Sequence, residues 1–272
     1  MVMHLLVINH THMPFYYFFL LIALSSCNTN ASLPLQSVIN NKEDTTINPY
    51  ATIEAIPLPP GFTRRHADST SFIEWLRNIP LKKNKTVYLF NGLPKGNQTA
   101  QFATINMSVG DKDLQQCADA VMRLRAEYLY AQKRFSAIDF TDNNLTHYRL
   151  PDDANRNVFN QYLEKIFSYC GTASLAKQLV PVNNFAEITA GDVLVKGGSP
   201  GHAMMVMDIA ENVAGKKIYL LAQSYMPAQD IHVVVNPTNN KLSPWYEANT
   251  ISLIETPEWD FTQKNLKKWP SK

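Results

Sequence analysis

Residues Gly191 to His232, GDVLVKGGSPGHAMMVMDIAENVAGKKIYLLAQSYMPAQDIH, constrain the fold more tightly than any other stretch of the chain. Apolar runs rich in Val, Ile, Met and Tyr alternate there with Gly, Pro and Asn turns, the pattern of strands folding back on one another. Strands are predicted over Asp192–Val195, His202–Ile209, Lys217–Tyr225 and Ile231–Val235, the last closed by Asn236-Pro237. Centring the long hairpin between Asn212 and Val213 sets His202 opposite Gln223. Met204–Leu221 and Val206–Tyr219 continue that face, and Asp208–Lys217 closes it. A slip of one residue would break the pairing, because successive side chains point to opposite faces.

A histidine paired with a glutamine has a chemical use. An imidazole that accepts a proton needs one nitrogen free and the other held, and an amide oxygen holds it without adding charge. Gly197, Gly198, Pro200 and Gly201 let the preceding loop run close to the ring. The same pair also fits a plain structural hydrogen bond in a half-buried sheet, so a nucleophile is needed to choose between the two.

Cys117 is the candidate. It lies near the start of the strongest helical pattern, about Asp113 to Lys133, in which Leu114, Cys117, Val121, Leu124 and Tyr128 form one apolar face. Asp113 or Asp111 is the expected N-cap. A thiol at a helix N-terminus meets the positive end of the dipole and unpaired backbone N–H groups. These favour thiolate and stabilise an oxyanion. The predicted site is Cys117 as nucleophile, His202 as base and Gln223 as orienter. Gln115 or Gln116 would add an oxyanion donor, and His232, then Asp230, are alternative orienters. Two other roles stay open for Cys117: a small buried core residue, or a disulfide with Cys170 in an oxidising compartment.

Around this nucleus the chain reads as strands, then helices, then an antiparallel run of strands, an α+β arrangement. Ser71–Arg77 predicts a short helix, and Thr86–Phe90 a strand pairing with Gln101–Val109. Ser136–Asp153 reads as an irregular surface segment. Asn157–Cys170 predicts a second helix, with another turn or two over Ser174–Leu179. A final strand is expected at Thr250–Ile254, followed by an aromatic tail from Trp259 to Trp269. This makes one domain over 57–272 with an insertion at about 136–181. Lys and Arg number 25 against 23 Asp and Glu, with no block of like charge. That excludes nucleic acid as a main partner, which needs a concentrated basic surface. No HExxH or paired-Cys spacing occurs, so no metal or other cofactor is expected.

The N-terminus predicts a compartment. Pro14–Leu24, PFYYFFLLIAL, is too short to span a bilayer and the right length for a signal-peptide core. Leu24-Ser25-Ser26-Cys27 follows and resembles the bacterial lipobox, with Cys27 the lipidated residue. No Lys or Arg precedes Cys27, and Met13 is an alternative start; an uncleaved N-terminal anchor is the other reading. A lipidated Cys27 implies a protein held at a membrane surface in the bacterial cell envelope, facing the periplasm or at the outer membrane. Residues 28–56 then serve as a tether, loosest over the Asn-, Thr- and Ser-rich stretch to Tyr50. Pro57, Pro59, Pro60 and Gly61 punctuate the start of the folded domain.

The phrases DLQQCADAVMRLRAEYL, GGSPGHAMMVMD, LLAQSYMPAQDIHV and SPWY resemble an uncharacterised bacterial lipoprotein family, domain of unknown function 4846, from about Phe72 onward. A more distant resemblance is to the NlpC-type papain-fold cysteine peptidases. Those place a cysteine at a helix start, then Gly-Asp, then a strand opening with Gly-His, then a strand carrying a third polar residue. The matching positions are Cys117, Gly191-Asp192, Gly201-His202 and Gln223. Gln116 departs from the aspartate common before that cysteine, and the Cys-to-His stretch is longer than usual. This resemblance implies a papain-like fold with a helix-borne Cys packed on an antiparallel sheet, and hydrolysis of amide bonds in peptidoglycan peptides. A binding or scaffolding lipoprotein of the same fold without turnover is the alternative.

Overall fold

A computed structural model of the chain describes residues 46–248 and 253–270. The expected signal segment, Cys27, most of the tether and the start of the strand expected at Thr250 lie outside the described residues.

The folded unit begins with β1 (Phe62–Thr63), α1 (Phe72–Arg77), β2 (Gln101–Thr104) and the long helix α2 (Cys117–Ala131). A small hairpin, β3 (Asp139–Thr141) and β4 (His147–Arg149), precedes helices α3 (Arg156–Tyr169) and α4 (Thr172–Gln178). Then come β5 (Val180–Pro181), β6 (Val193–Lys196), β7 (His202–Asn212), β8 (Lys217–Gln223) and β9 (His232–Val234). The chain finishes through β10 (Tyr246–Glu247), β11 (Leu253–Glu255), β12 (Asp260–Thr262) and β13 (Leu266–Lys268).

The main sheet runs β2-β9-β8-β7-β6-β13-β5, with β1 on the far end of β7 and β10 on β8. Every pairing in it is antiparallel. The expected α+β class is what the chain adopts. Strand β7 explains its own composition. Ala203, Met205 and Met207 pack toward the helical layer with Ala118, Val121, Met122 and Leu124 of α2. Met204, Val206 and Ile209 pack on the other face with Tyr219, Phe261 and Leu266. A strand covered on both faces reads as a continuous apolar run rather than an alternation, which is why HAMMVM looks as it does.

The register of the long hairpin differs from the expected one. Met205 faces Ala222 and Val206 faces Leu221. Beyond a bulge at Met207, Asp208 faces Leu220 and Glu211 faces Lys217. The turn and the bulge together are the cause, the turn moving the register by three residues and the bulge taking one back. Asn212 Oδ1 accepts from the N–H groups of Ala214 and Lys216, both at 3.0 Å, and Gly215 adopts φ 78°. That closes a loop over Val213-Ala214-Gly215, farther along than the expected centre. Near His202 the displacement is two residues, which preserves the face on which each side chain lies. Asp208, freed from Lys217, is fully buried and takes Arg64 Nε at 2.5 Å and Arg77 Nε at 2.8 Å.

Three other expectations are corrected. Thr86–Phe90 is not a strand beside β2; it makes the isolated bridges Tyr88–Pro94 and Leu89–Gln229. The side chains of Asn84 and Gln98 capture the N–H groups of Thr86 and Val87 at 2.8 and 3.1 Å, and β2 pairs with β9 instead. Ser136–Asp153 is not irregular. It holds the β3–β4 hairpin over buried Ile138, Phe140 and Leu150, its turn tied by Asp142 Oδ1 to the N–H groups of Asn144 and Thr146. The tether does not reach residue 56: Ile53 and Ile56 are fully buried and Thr52 bridges Pro80, so core packing starts well before Pro57. No helix among the described residues is long and apolar enough to cross a membrane.

Candidate active site

Cys117 is the first residue of α2, and its N-cap is Gln116 rather than Asp113 or Asp111. Asp113 is used elsewhere, accepting from the Ala228 N–H at 2.7 Å and from Gln116 Nε2 at 3.2 Å. The cap forms because Asp119, three residues into the turn, turns its carboxylate Oδ2 back to the Gln116 N–H at 3.0 Å. The thiol therefore sits at the helix's amide-rich end. It shares a cavity of about 420 Å³ with Asp119, Cys170, Gly201, His202 and Trp259.

His202 opens β7 and is buried. Its Nε2 lies 2.7 Å from Gln223 Oε1. Along the backbone His202 pairs with Lys196 and Gln223 with His232, so the side-chain contact is diagonal, made possible by the preserved face. The loop before the histidine is held very close. A Cβ added at Gly201 would lie 2.4 Å from both Gly198 O and Thr172 Oγ1, and Thr172 Oγ1 itself donates to Gly198 O at 3.0 Å. Only glycine fits there, where the start of α4 abuts the loop.

The protonation of the ring follows from a chain of hydrogen bonds. His232 Nδ1 lies 2.9 Å from the Asp230 carbonyl, which can only accept, so Nδ1 carries the proton and Nε2 is bare. Gln223 Nε2 donates to that nitrogen at 3.3 Å and to the Glu258 carboxylate at 2.8 Å. Glu258 in turn is paired with Lys95 Nζ at 2.6 Å. With the amide nitrogen so engaged, Gln223 presents its oxygen to His202, and Nε2 of His202 must carry a proton. Nδ1 is left as the bare nitrogen, the form a general base needs. Tyr225, Trp259 and Phe261 wall the ring, with centroids 4.9, 5.4 and 5.9 Å away.

Electrostatics run against the expected thiolate. Burial pushes the Cys117 thiol up to about 11. The N–H of Ala203 at the sulfur works in the opposite direction, and the Asp119 carboxylate adds to the rise. Burial also lowers the His202 ring to about 4, although Gln223 counteracts it. At neutral pH the pair is thus a neutral thiol beside a neutral imidazole, and among the described residues no hydrogen bond joins them. The helix dipole favours thiolate, but desolvation outweighs it here. Cys117 and Cys170 are both free thiols, so the disulfide is not formed, and burial raises Cys170 to about 12.

The remaining expected residues fall into place plainly. Gln116 lines the cavity. Gln115 does not; its side chain is held by Arg123 on the other side of the loop. Asp230 is bound by Lys82 Nζ at 2.8 Å through both oxygens and by the Tyr88 N–H, so only its backbone carbonyl serves the site. His232 touches the orienter Gln223, not His202. Sequence reasoning missed Glu258, Lys95 and Asp119. Asp119 is buried, and burial holds its proton well above the carboxylate range. No capping pattern in the sequence flags it, because the residue three before it is Gln116 rather than Ser, Thr, Asp or Asn.

A family model described as domain of unknown function (4846) matches residues 52–150 and 141–268. The chain belongs to this family. Its span takes in Cys117, His202, Gln223, Glu258 and Lys95 together, and it begins upstream of Phe72, where Ile53 and Ile56 enter the core. No curated protein and no solved structure matches the chain. Among the described residues no group of three or more His, Cys, Asp or Glu side chains is arranged to hold a metal ion.

Proposed function

We propose that this chain is a cysteine hydrolase with an NlpC-like, papain-type arrangement, anchored in the bacterial cell envelope through a lipid on Cys27, cleaving an amide bond in peptidoglycan peptides. One observation carries the reading. A helix N-terminal Cys117 and a strand-initial His202 line one cavity, and the His202 ring is fixed by Gln223 at 2.7 Å in the tautomer with Nδ1 bare. In the reaction the Cys117 sulfur attacks the amide carbon while its proton passes to His202 Nδ1. The C–N bond breaks as that proton moves to the leaving amine, giving a thioester that water opens with His202 again as base. Backbone N–H groups at the start of α2, with the Gln116 amide beside them, face the oxyanion. Proton transfer accompanies attack, since neither partner is charged at rest.

The test is release of new amino groups from peptidoglycan by the purified full-length chain. Activity lost by at least about a hundredfold in both Cys117→Ala and His202→Ala, with folding intact, is the expected result, in keeping with the size of nucleophile and base contributions. Release undiminished in Cys117→Ala overturns the proposal. The second reading, a non-catalytic binding lipoprotein of the same fold, is favoured by the directions in which burial moves the thiol and the imidazole. It requires Cys117→Ala to support the cellular phenotype as well as the wild type does.

A further inference from the structure

A second cavity, of about 220 Å³, lies on the other side of the segment that leads into α2. Leu114 and Phe167 line both cavities. Gln115 is only 1% exposed and lines the second one. Its Oε1 accepts from Arg123 Nη1, and Arg123, a donor only, fixes which end of the amide is the oxygen. The Gln115 NH₂ group is therefore the end left over, and it has no hydrogen-bond partner. Arg123 Nη1 is used a second time by the Ser108 carbonyl at 2.5 Å, while its Nε makes no hydrogen bond and has only the looser ion pair with Glu127 at 3.8 Å. Both unsatisfied groups are donors, one of them on a cation. Of the carboxylates at the rim, Asp111 is exposed and Glu164 is paired with Lys112 at 2.8 Å.

Buried donors without partners are rare in native proteins and mark a place where an acceptor belongs. We propose that this cavity binds a carboxylate, namely the free carboxylate of a short peptide whose amide bond lies at Cys117. Gln115 NH₂ and Arg123 Nε contact its oxygens. The cavity has room for such a group, at about 30 Å³ per displaced water. The two cavities adjoin, sharing Leu114 and Phe167, so a short peptide is the class of ligand that would span them. Carboxylate binding stands by itself; only its role as a substrate subsite rests on the hydrolase reading.

The experiment uses the full chain and two probes, N-acetyl-alanyl-alanine and its C-terminal amide, with affinity and the Gln115 side-chain NH₂ resonance followed by NMR. The acid is expected to bind at least about tenfold tighter than the amide and to shift that resonance, in the wild type and in Cys117→Ala alike. Gln115→Glu keeps an oxygen for Arg123 and places a like charge against the ligand, so it is expected to abolish the preference for the acid. Equal affinity for acid and amide, a preference unchanged in Gln115→Glu, or no binding of either probe with the Gln115 resonance unmoved overturns the proposal. The last outcome shows a cavity filled by water only. Tight acid binding without any peptide hydrolysis removes the hydrolase reading and leaves the carboxylate site. Hydrolysis indifferent to acid or amide does the reverse.

Discussion

Glu258 decides which way the Gln223 amide points, and Glu258→Ala tests that directly. The wild-type carboxylate accepts from Gln223 Nε2 at 2.8 Å and from Lys95 Nζ at 2.6 Å. A hydrogen bond to a charged group contributes about 1.5–3 kcal/mol, so the flipped amide is held below about one part in ten. Without Glu258 only the 3.3 Å contact to His232 favours the present orientation. A flipped Gln223 turns an N–H toward His202 Nε2 and forces the proton to Nδ1, the wrong nitrogen for a base. The Lys95 side chain, 7% exposed, also loses its partner. Removing one member of a buried pair costs about 3–5 kcal/mol, and since Glu258 is 14% exposed the low end, about 3 kcal/mol, is expected here. The tautomer is read from ¹⁵N imidazole spectra of His202 and the stability from guanidinium unfolding. A single Nε2–H tautomer persisting in Glu258→Ala, with stability within about 0.5 kcal/mol of wild type, would refute the proposed control of the ring.

Alkylation of Cys117 by iodoacetamide is expected to be slow at pH 7 and to rise about tenfold per pH unit toward pH 10, because burial raises the thiol to about 11; a rate already flat around pH 7, measured by mass spectrometry, would mean a preformed thiolate–imidazolium pair. Asp208→Asn leaves Arg77 buried with half its partner, and a loss of about 3–5 kcal/mol is expected in denaturant titrations. Burial lowers His202 to about 4 and His232 to about 3, below the unfolded value near 6.5. The unfolded chain then binds more protons, so the stability these neutral rings provide is complete above about pH 6.5 and is lost as pH falls through 4 toward 3. His232→Gln should flatten that part of the stability–pH curve; an unchanged slope between pH 6 and 4 would count against it.

The placement of the candidate residues was largely legible because each announces itself locally. A cysteine at the head of a helical period, a histidine after Gly-Gly-Ser-Pro-Gly and a polar residue within an apolar strand are each visible in a few letters. The hairpin register was wrong, yet His202 and Gln223 still meet, since an even displacement preserves the face while an odd one would have separated them. The three-residue turn depends on Asn212 accepting two backbone N–H groups, and the bulge at Met207 takes back one residue of the shift; composition reveals neither. Lys95 and Glu258 were illegible for a different reason. They join residues far apart in sequence, and nothing near either one signals a buried ion pair. The sign of the Cys117 shift was missed because the helix dipole is evident in the sequence pattern and the depth of burial is not.

Strand β7 divides two apolar cores, and its first residue, His202, depends on both. The apolar face of helix α2, from Ala118 onward, belongs to one; Trp259 and Phe261, against the ring, belong with the other, and Glu258 comes from the same late segment. Glu258, Trp259 and Phe261 all follow β8 and β9 in the chain, so the hairpin that carries His202 does not by itself fix the ring. The orientation of the proposed base is a property of the complete fold, in which both cores are closed.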